Sequence, residues 1–296
     1  MKRHAVLGVA AMMVLVASDA LAYCRTNTCD PRRRDCEEDS EGCLTAGSPL
    51  YWASECVTFA VHQDGSPRHG IDATLFADEV YAAFRRWLDV DCGDGRSPLL
   101  TVQNLGPVEC DRVEYNQRDG NANVFMFRDT EWPYVGGEDA LGLSTIRFDP
   151  TSGRIYDVDV EINGATEIPI SVGEPRRGAA DLASILTHEV GHFLGLSHTR
   201  ARGATMRPAY EIGDGLTELS EDDIAGICDA LSPDRTPETQ SCTPRHGFSS
   251  DCGKPDDGCS ASRAGAGSNG AFGLGALALA LAASFARARR RARASG

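Results

Sequence analysis

Residues 187–199 read THEVGHFLGLSHT. Three of the chain's seven histidines and one glutamate fall within eleven positions here, and two glycines interrupt the run. In the helical stretch DLASILTHEVGHFLG, His188 and His192 stand four apart and project from one face. Two imidazoles so placed can grip a single cation, and zinc is the usual occupant. Glu189 is rotated about 100° from His188, so it stands beside such an ion rather than on it. Gly195 lets the chain turn sharply, because glycine accepts conformations that side chains resist. The turn brings His198 round as a third ligand. Three protein ligands leave a fourth coordination position open to water, the arrangement of catalytic rather than structural zinc. A helix with metal-free core or surface histidines is the bland alternative for the HExxH pattern alone. Gly195 and His198 at these offsets weigh strongly against it.

Upstream, SECVTFAVHQD alternates like a strand, and IDATLFADEVYAAFRRWLDV repeats Ile71, Leu75, Val80, Phe84, Trp87 and Leu88 at helical spacing. LLTVQNLG, NVFMFRD, LGLSTIRFD and IYDVDVEIN read as four more short strands between Gly, Asn, Asp and Pro punctuation. Asp181 is a candidate N-cap for the histidine helix and Gly195 its stop. LSEDDIAGICDAL follows as a final helix, capped by Ser220 with Asp223 three residues on. One early helix, about five strands and two later helices lead to an expected α/β (α+β) domain over residues 47–232.

HExxHxxGxxH over His188–His198 resembles the extended zinc motif of the metzincin metalloproteases, and further residues sharpen the likeness. Eight positions past His198, ATMRPAY puts Met206 where metzincins carry their methionine turn. Within that class the chain is most similar to the matrixin branch. The interval from His198 to Met206 is short, Pro208 and Tyr210 resemble the segment walling the S1′ pocket, and LSEDDIAGI is similar to the start of the matrixin C-terminal helix. Tyr210 lies four residues past Met206, so it does not match the extra tyrosine ligand of the astacin branch. Departures are Thr199, where matrixins usually have serine, and the lack of a recognisable N-terminal cysteine-switch propeptide. CGKPD at 252–256 is only loosely similar to that switch, and a disulfide accounts better for Cys252. The resemblance implies a mixed, twisted five-stranded sheet with a backing helix, an active-site helix and a small C-terminal subdomain. It also implies one catalytic zinc, Glu189 as general base, and an extended polypeptide substrate pairing with the edge strand at Leu141, Gly142 and Leu143. Asp157, Asp159 and Glu161 are candidate calcium ligands, although a solvated strand face explains them equally well. The alternative function is a non-catalytic, zinc-stapled surface binding or adhesion module, which would have no need of Glu189.

The two ends read differently from the body. Lys2 and Arg3, an apolar run from Ala5 to Ala17 and Ala20-Leu21-Ala22 form a signal-peptide pattern over residues 1–22, implying secretion. Residues 23–46 are Cys-rich, and 233–269 have the Cys/Pro/Gly composition of a linker. The chain carries a formal charge of -14; the terminal segments 1–22 and 287–296 hold seven of its 29 basic but one of its 43 acidic residues. The acidic body that remains argues against nucleic acid or anionic lipid as partners. All eleven cysteines follow position 22, and export makes disulfides their expected state. Gly258-Cys259-Ser260, the apolar run 270–286 and the arginines from 287 to 293 resemble the myxobacterial sorting signal often called MYXO-CTERM. That likeness implies processing and anchoring at Cys259 by envelope sorting machinery, contact with the membrane through this signal only, and a place at the cell surface. It also leaves ten cysteines for five disulfides. A permanent, barely bilayer-long tail anchor is the plain alternative.

Overall fold

The computed structural model describes residues 22–30, 36–135, 137, 139–213, 215–252 and 275–284. Residues 1–21, Cys259 and the arginine tail lie outside them. In chain order the elements are β1 (Cys24–Arg25), β2 (Cys56–His62), α1 (Ala73–Leu88), β3 (Thr101–Val108), β4 (Val124–Phe127), β5 (Ala140–Phe148) and β6 (Ile155–Ile162). Then come β7 (Ile170–Ser171), β8 (Ala180–Asp181), α2 (Leu182–Phe193), β9 (Leu196–Ser197), β10 (Ala209–Glu211), α3 (Glu221–Ala230) and β11 (Gly275–Ser284).

The five expected strands form one mixed sheet in the order β5-β6-β4-β2-β3. Pairing is parallel from β3 through β2 and β4 to β6; only β5 runs antiparallel to its neighbour β6. Parallel strands need covered faces and crossovers, and α1 supplies the first crossover, between β2 and β3. Asp72 caps α1, its side chain accepting from Leu75 N at 2.9 Å. The buried face of α1 carries Phe76, Val80, Phe84, Trp87 and Leu88. Leu75, expected inside, is 37 % exposed, and Phe76 takes its place in the core. Phe59 of β2, Phe84, Phe125 of β4 and Phe193 of α2 pack ring against ring between sheet and helices. Each such side chain contributes about 1.5–3 kcal/mol of hydrophobic stabilisation.

Helix α2 crosses this core almost wholly buried, which its sequence requires: every residue from Leu182 to Phe193 is inside. Two indoles hold it. Trp87 Nε1 donates to Thr187 O at 2.7 Å, and Trp52 Nε1 donates to Phe193 O at 2.8 Å. The expected caps are present, Asp181 for α2 and Ser220 with Asp223 in a reciprocal capping box for α3.

Three features go beyond the sequence reading. The sheet has seven strands, because β11 pairs antiparallel with β5 and parallel with β10. Residues 275–284, read as part of an apolar span, are extended, and among the described residues no helix is long and apolar enough to cross a membrane. The Cys-rich N-terminal segment does not stand apart: β1 pairs with β9, directly before His198. Residues 233–252, linker-like in composition, are stapled to the domain by Cys56–Cys242 and Cys110–Cys252. The other bridges are Cys24–Cys43, Cys29–Cys36 and Cys92–Cys228. Ten cysteines are thus paired.

Candidate metal centre

The C-terminal half of α2 presents His188 and His192 on one side, and the turn that follows delivers the third ring. Gly195 has φ +98, a left-handed conformation that suits glycine, and a Cβ there would sit 3.0 Å from Leu50 O. Strand β9 then leads directly to His198. His198 Nε2 lies 3.2 Å from Nε2 of both His188 and His192. Among the described residues, these three histidines are the group whose ligand atoms gather closely enough to hold a metal ion.

Second-layer carbonyls set the tautomers. His188 Nδ1 contacts Thr205 O at 2.7 Å and His192 Nδ1 contacts Leu196 O at 2.9 Å. A carbonyl only accepts, so both Nδ1 atoms carry their protons and both Nε2 atoms present lone pairs to the centre. One proton on His198 could serve one of its two contacts, whereas a cation serves both. Burial, reinforced by His198, pushes His188 down to about 3, and burial pushes His198 to about 4. Burial and the two neighbouring rings hold His192 well below its ordinary value. All three are neutral near pH 7, the state a metal requires. Tetrahedral zinc–nitrogen bonds of about 2.0–2.1 Å place ligand nitrogens about 3.3–3.4 Å apart, so the trio fits zinc.

Glu189 is fully buried beside this trio. The Ser144 hydroxyl on β5 donates to its Oε2 at 2.6 Å. A Cβ on Gly142 would come within 2.5 Å of Oε1, so glycine there gives the carboxylate its room. Gly142 and Ser144 are two apart and share the strand face turned toward α2. Ser144 was not singled out in the sequence; that shared period with Gly142 was the available signal. Leu141 and Leu143, expected along the cleft rim, are buried on the same strand. β5 does end the five-stranded core, but its outer side is paired with β11 rather than open.

Met206 underlies the centre. Its Sδ, together with Trp87, occupies the space a Cβ on Gly191 would need. Met206 O accepts from Thr199 N at 2.9 Å, closing the loop that carries His198. Asp223 holds the same loop from below, accepting from Thr205 N at 2.8 Å and Met206 N at 3.1 Å while capping α3. Its sequence signature announced only the cap. Pro208 is exposed, and Tyr210 lies in β10; its side chain is outside the described residues.

Two of the acidic residues of β6 are engaged elsewhere. Glu161 pairs with Arg128 and Tyr134. Asp159 accepts from Glu114 N at 2.9 Å and Val124 N at 3.1 Å. Asp157 is buried, and among the described residues its Oδ2 has no hydrogen-bond partner.

Residues 110–230 match the family model for Matrixin. That match and the mixed sheet with its helices are consistent with a matrixin-like metzincin catalytic fold. Individual relatives narrow it. The chain is similar to metalloendoproteinase 1-MMP of Arabidopsis thaliana, 30% identical over 189 residues, covering 62% of this chain and 44% of that protein. It is also similar to Arabidopsis 5-MMP, 35% identical over 153 residues, covering 49% and 36%. Mouse matrix metalloproteinase-19 is 47% identical over 60 residues, covering 20% and 11%. The chain thus spans less than half the length of each of these relatives.

Proposed function

We propose that this chain is a secreted or cell-surface zinc metalloendopeptidase in which Glu189 is the general base. The observation that carries the reading is the convergence of three neutral imidazoles next to a buried glutamate that Ser144 of β5 holds. Zinc held by His188, His192 and His198 would supply the Lewis acid for the scissile carbonyl and the attacking water. Glu189 takes the water's proton and returns it to the leaving amine. Ser144 fixes one carboxylate oxygen, and Gly142 leaves space at the other. Met206 and Asp223 hold the His198 loop in place and take no part in bond making. The peptide would lie extended along Leu141–Leu143, with Pro208 and Tyr210 as the facing wall.

Ten paired cysteines support an oxidising, extracytoplasmic destination. They also leave Cys259 as the one cysteine outside those five bridges, which supports its reading as the sorting and anchoring site.

The test combines zinc content with cleavage of casein or gelatin. One zinc per chain and cleavage blocked by a hydroxamate are expected. Glu189→Gln should keep the zinc and lose at least about 100-fold in turnover, the usual contribution of a general base. Substantial turnover in that variant refutes the role.

A further inference from the structure

β11 runs antiparallel to β5 from Gly275 opposite Phe148 to Leu281 opposite Gly142. On its other side it runs parallel to β10, with Ala282, Ala283 and Ser284 opposite Ala209, Tyr210 and Glu211. β5, whose Gly142 and Ser144 lie against Glu189, and β10, the strand of the proposed facing wall, are therefore bridged by a strand of the chain's own C-terminal region. Its backbone engages the positions nearest the centre: Leu279 pairs with Ser144, which bonds Glu189, and Leu281 pairs with Gly142, which abuts Glu189. The register slips between Leu281 and Ala282, so Leu141 is skipped beside those two residues. Leu279 is half-buried and packs against the main core, and α2 itself touches β11.

A free peptide adding to β5 as an extra strand would need these same backbone groups. GALALALAAS carries no charge, so nothing in it is repelled by the acidic body of the chain. Covalent attachment gives it an effective concentration on the order of millimolar, enough to exclude peptides present at micromolar levels.

We propose that residues 275–284 occupy the substrate cleft in cis and keep it closed to other peptides until that segment is released. The inference rests on reading the cleft as peptide-binding. It gives the C-terminal signal a second consequence, since processing there would also unblock the centre. The ligand class it defines is an uncharged, extended peptide alternating alanine and leucine.

The test uses the full, zinc-loaded chain with a recognition sequence for a site-specific protease inserted between Ser260 and Ala261, cut only after folding and then dialysed. Hydrogen exchange of the 141–147 amides, binding of the labelled synthetic peptide GALALALAAS, and hydrolysis of a reporter peptide are read before and after the cut. We expect the cut to expose those amides, to permit peptide binding, and to raise hydrolysis at least tenfold; excess synthetic peptide should reverse all three. Leu279→Asp in the uncut chain should give the same opening. Equal exchange and equal peptide binding before and after the cut would overturn the proposal, whatever the hydrolysis. Changed exchange and binding with no hydrolysis in any form would uphold the occluding strand and defeat the peptidase reading instead.

Discussion

Asp157 shows how one buried side chain can shape the response of the whole fold to pH. Burial first, and then the neighbouring Asp159, raise its carboxyl well above the ordinary range; burial raises Asp159 to about 8. These acids hold protons in the fold that the unfolded chain has already released above pH 4. Their stabilising effect is complete below that pH and is lost as pH rises through the folded values. Asp157→Asn keeps the shape and removes the ionisation. It should raise the unfolding midpoint more at pH 8 than at pH 5. Equal effects at both pH values would refute this. Ser144 acts at the same scale. Ser144→Ala removes the hydroxyl that holds Oε2 of Glu189, so kcat should fall while KM changes little. An unchanged kcat would make Ser144 merely structural. Ser144 did not stand out beforehand, and Asp157 did so only as a candidate calcium ligand, because strand periodicity gives a face and not the identity of the group that faces it.

Among the elements, the turn after α2 matters most for the metal. Gly195 sits at φ +98 against Leu50 O. Alanine there carries about 1–3 kcal/mol of strain, and the strain falls on the segment that brings His198 to the other two rings. Gly195→Ala should leave the helix content by circular dichroism unchanged and weaken zinc about tenfold or more in a chelator competition. Unchanged affinity would mean that the turn does not position His198. Helices α1, α2 and α3 and strands β2 to β6 were legible in the sequence because caps, alternation and helical spacing agree there. β11 was not. A ten-residue apolar run inside a longer one is compatible with strand, buried helix or span, and its partner β5 lies more than a hundred residues away. The β1–β9 pair was hidden for a similar reason, being two residues long.

For the molecule as a whole, three long-range disulfides tie distant segments onto the domain, closing separations of 186, 136 and 142 residues. Sequence showed that cysteines would pair but not which with which, since spacing does not determine connectivity. Replacing Cys56 and Cys242 together by alanine should lower stability by about 2–5 kcal/mol without changing the zinc stoichiometry, because neither touches the histidines. An undiminished unfolding midpoint would show that segment 233–252 contributes little. Strands, helices, caps and bridges converge on the environment of one ion, and X-ray absorption at the zinc edge of the purified full-length chain reads that environment directly. Three imidazole nitrogens at about 2.0–2.1 Å and no sulfur are expected, with one nitrogen lost in His198→Ala. A sulfur shell at about 2.3 Å, or an unchanged spectrum in that variant, would contradict the centre described above.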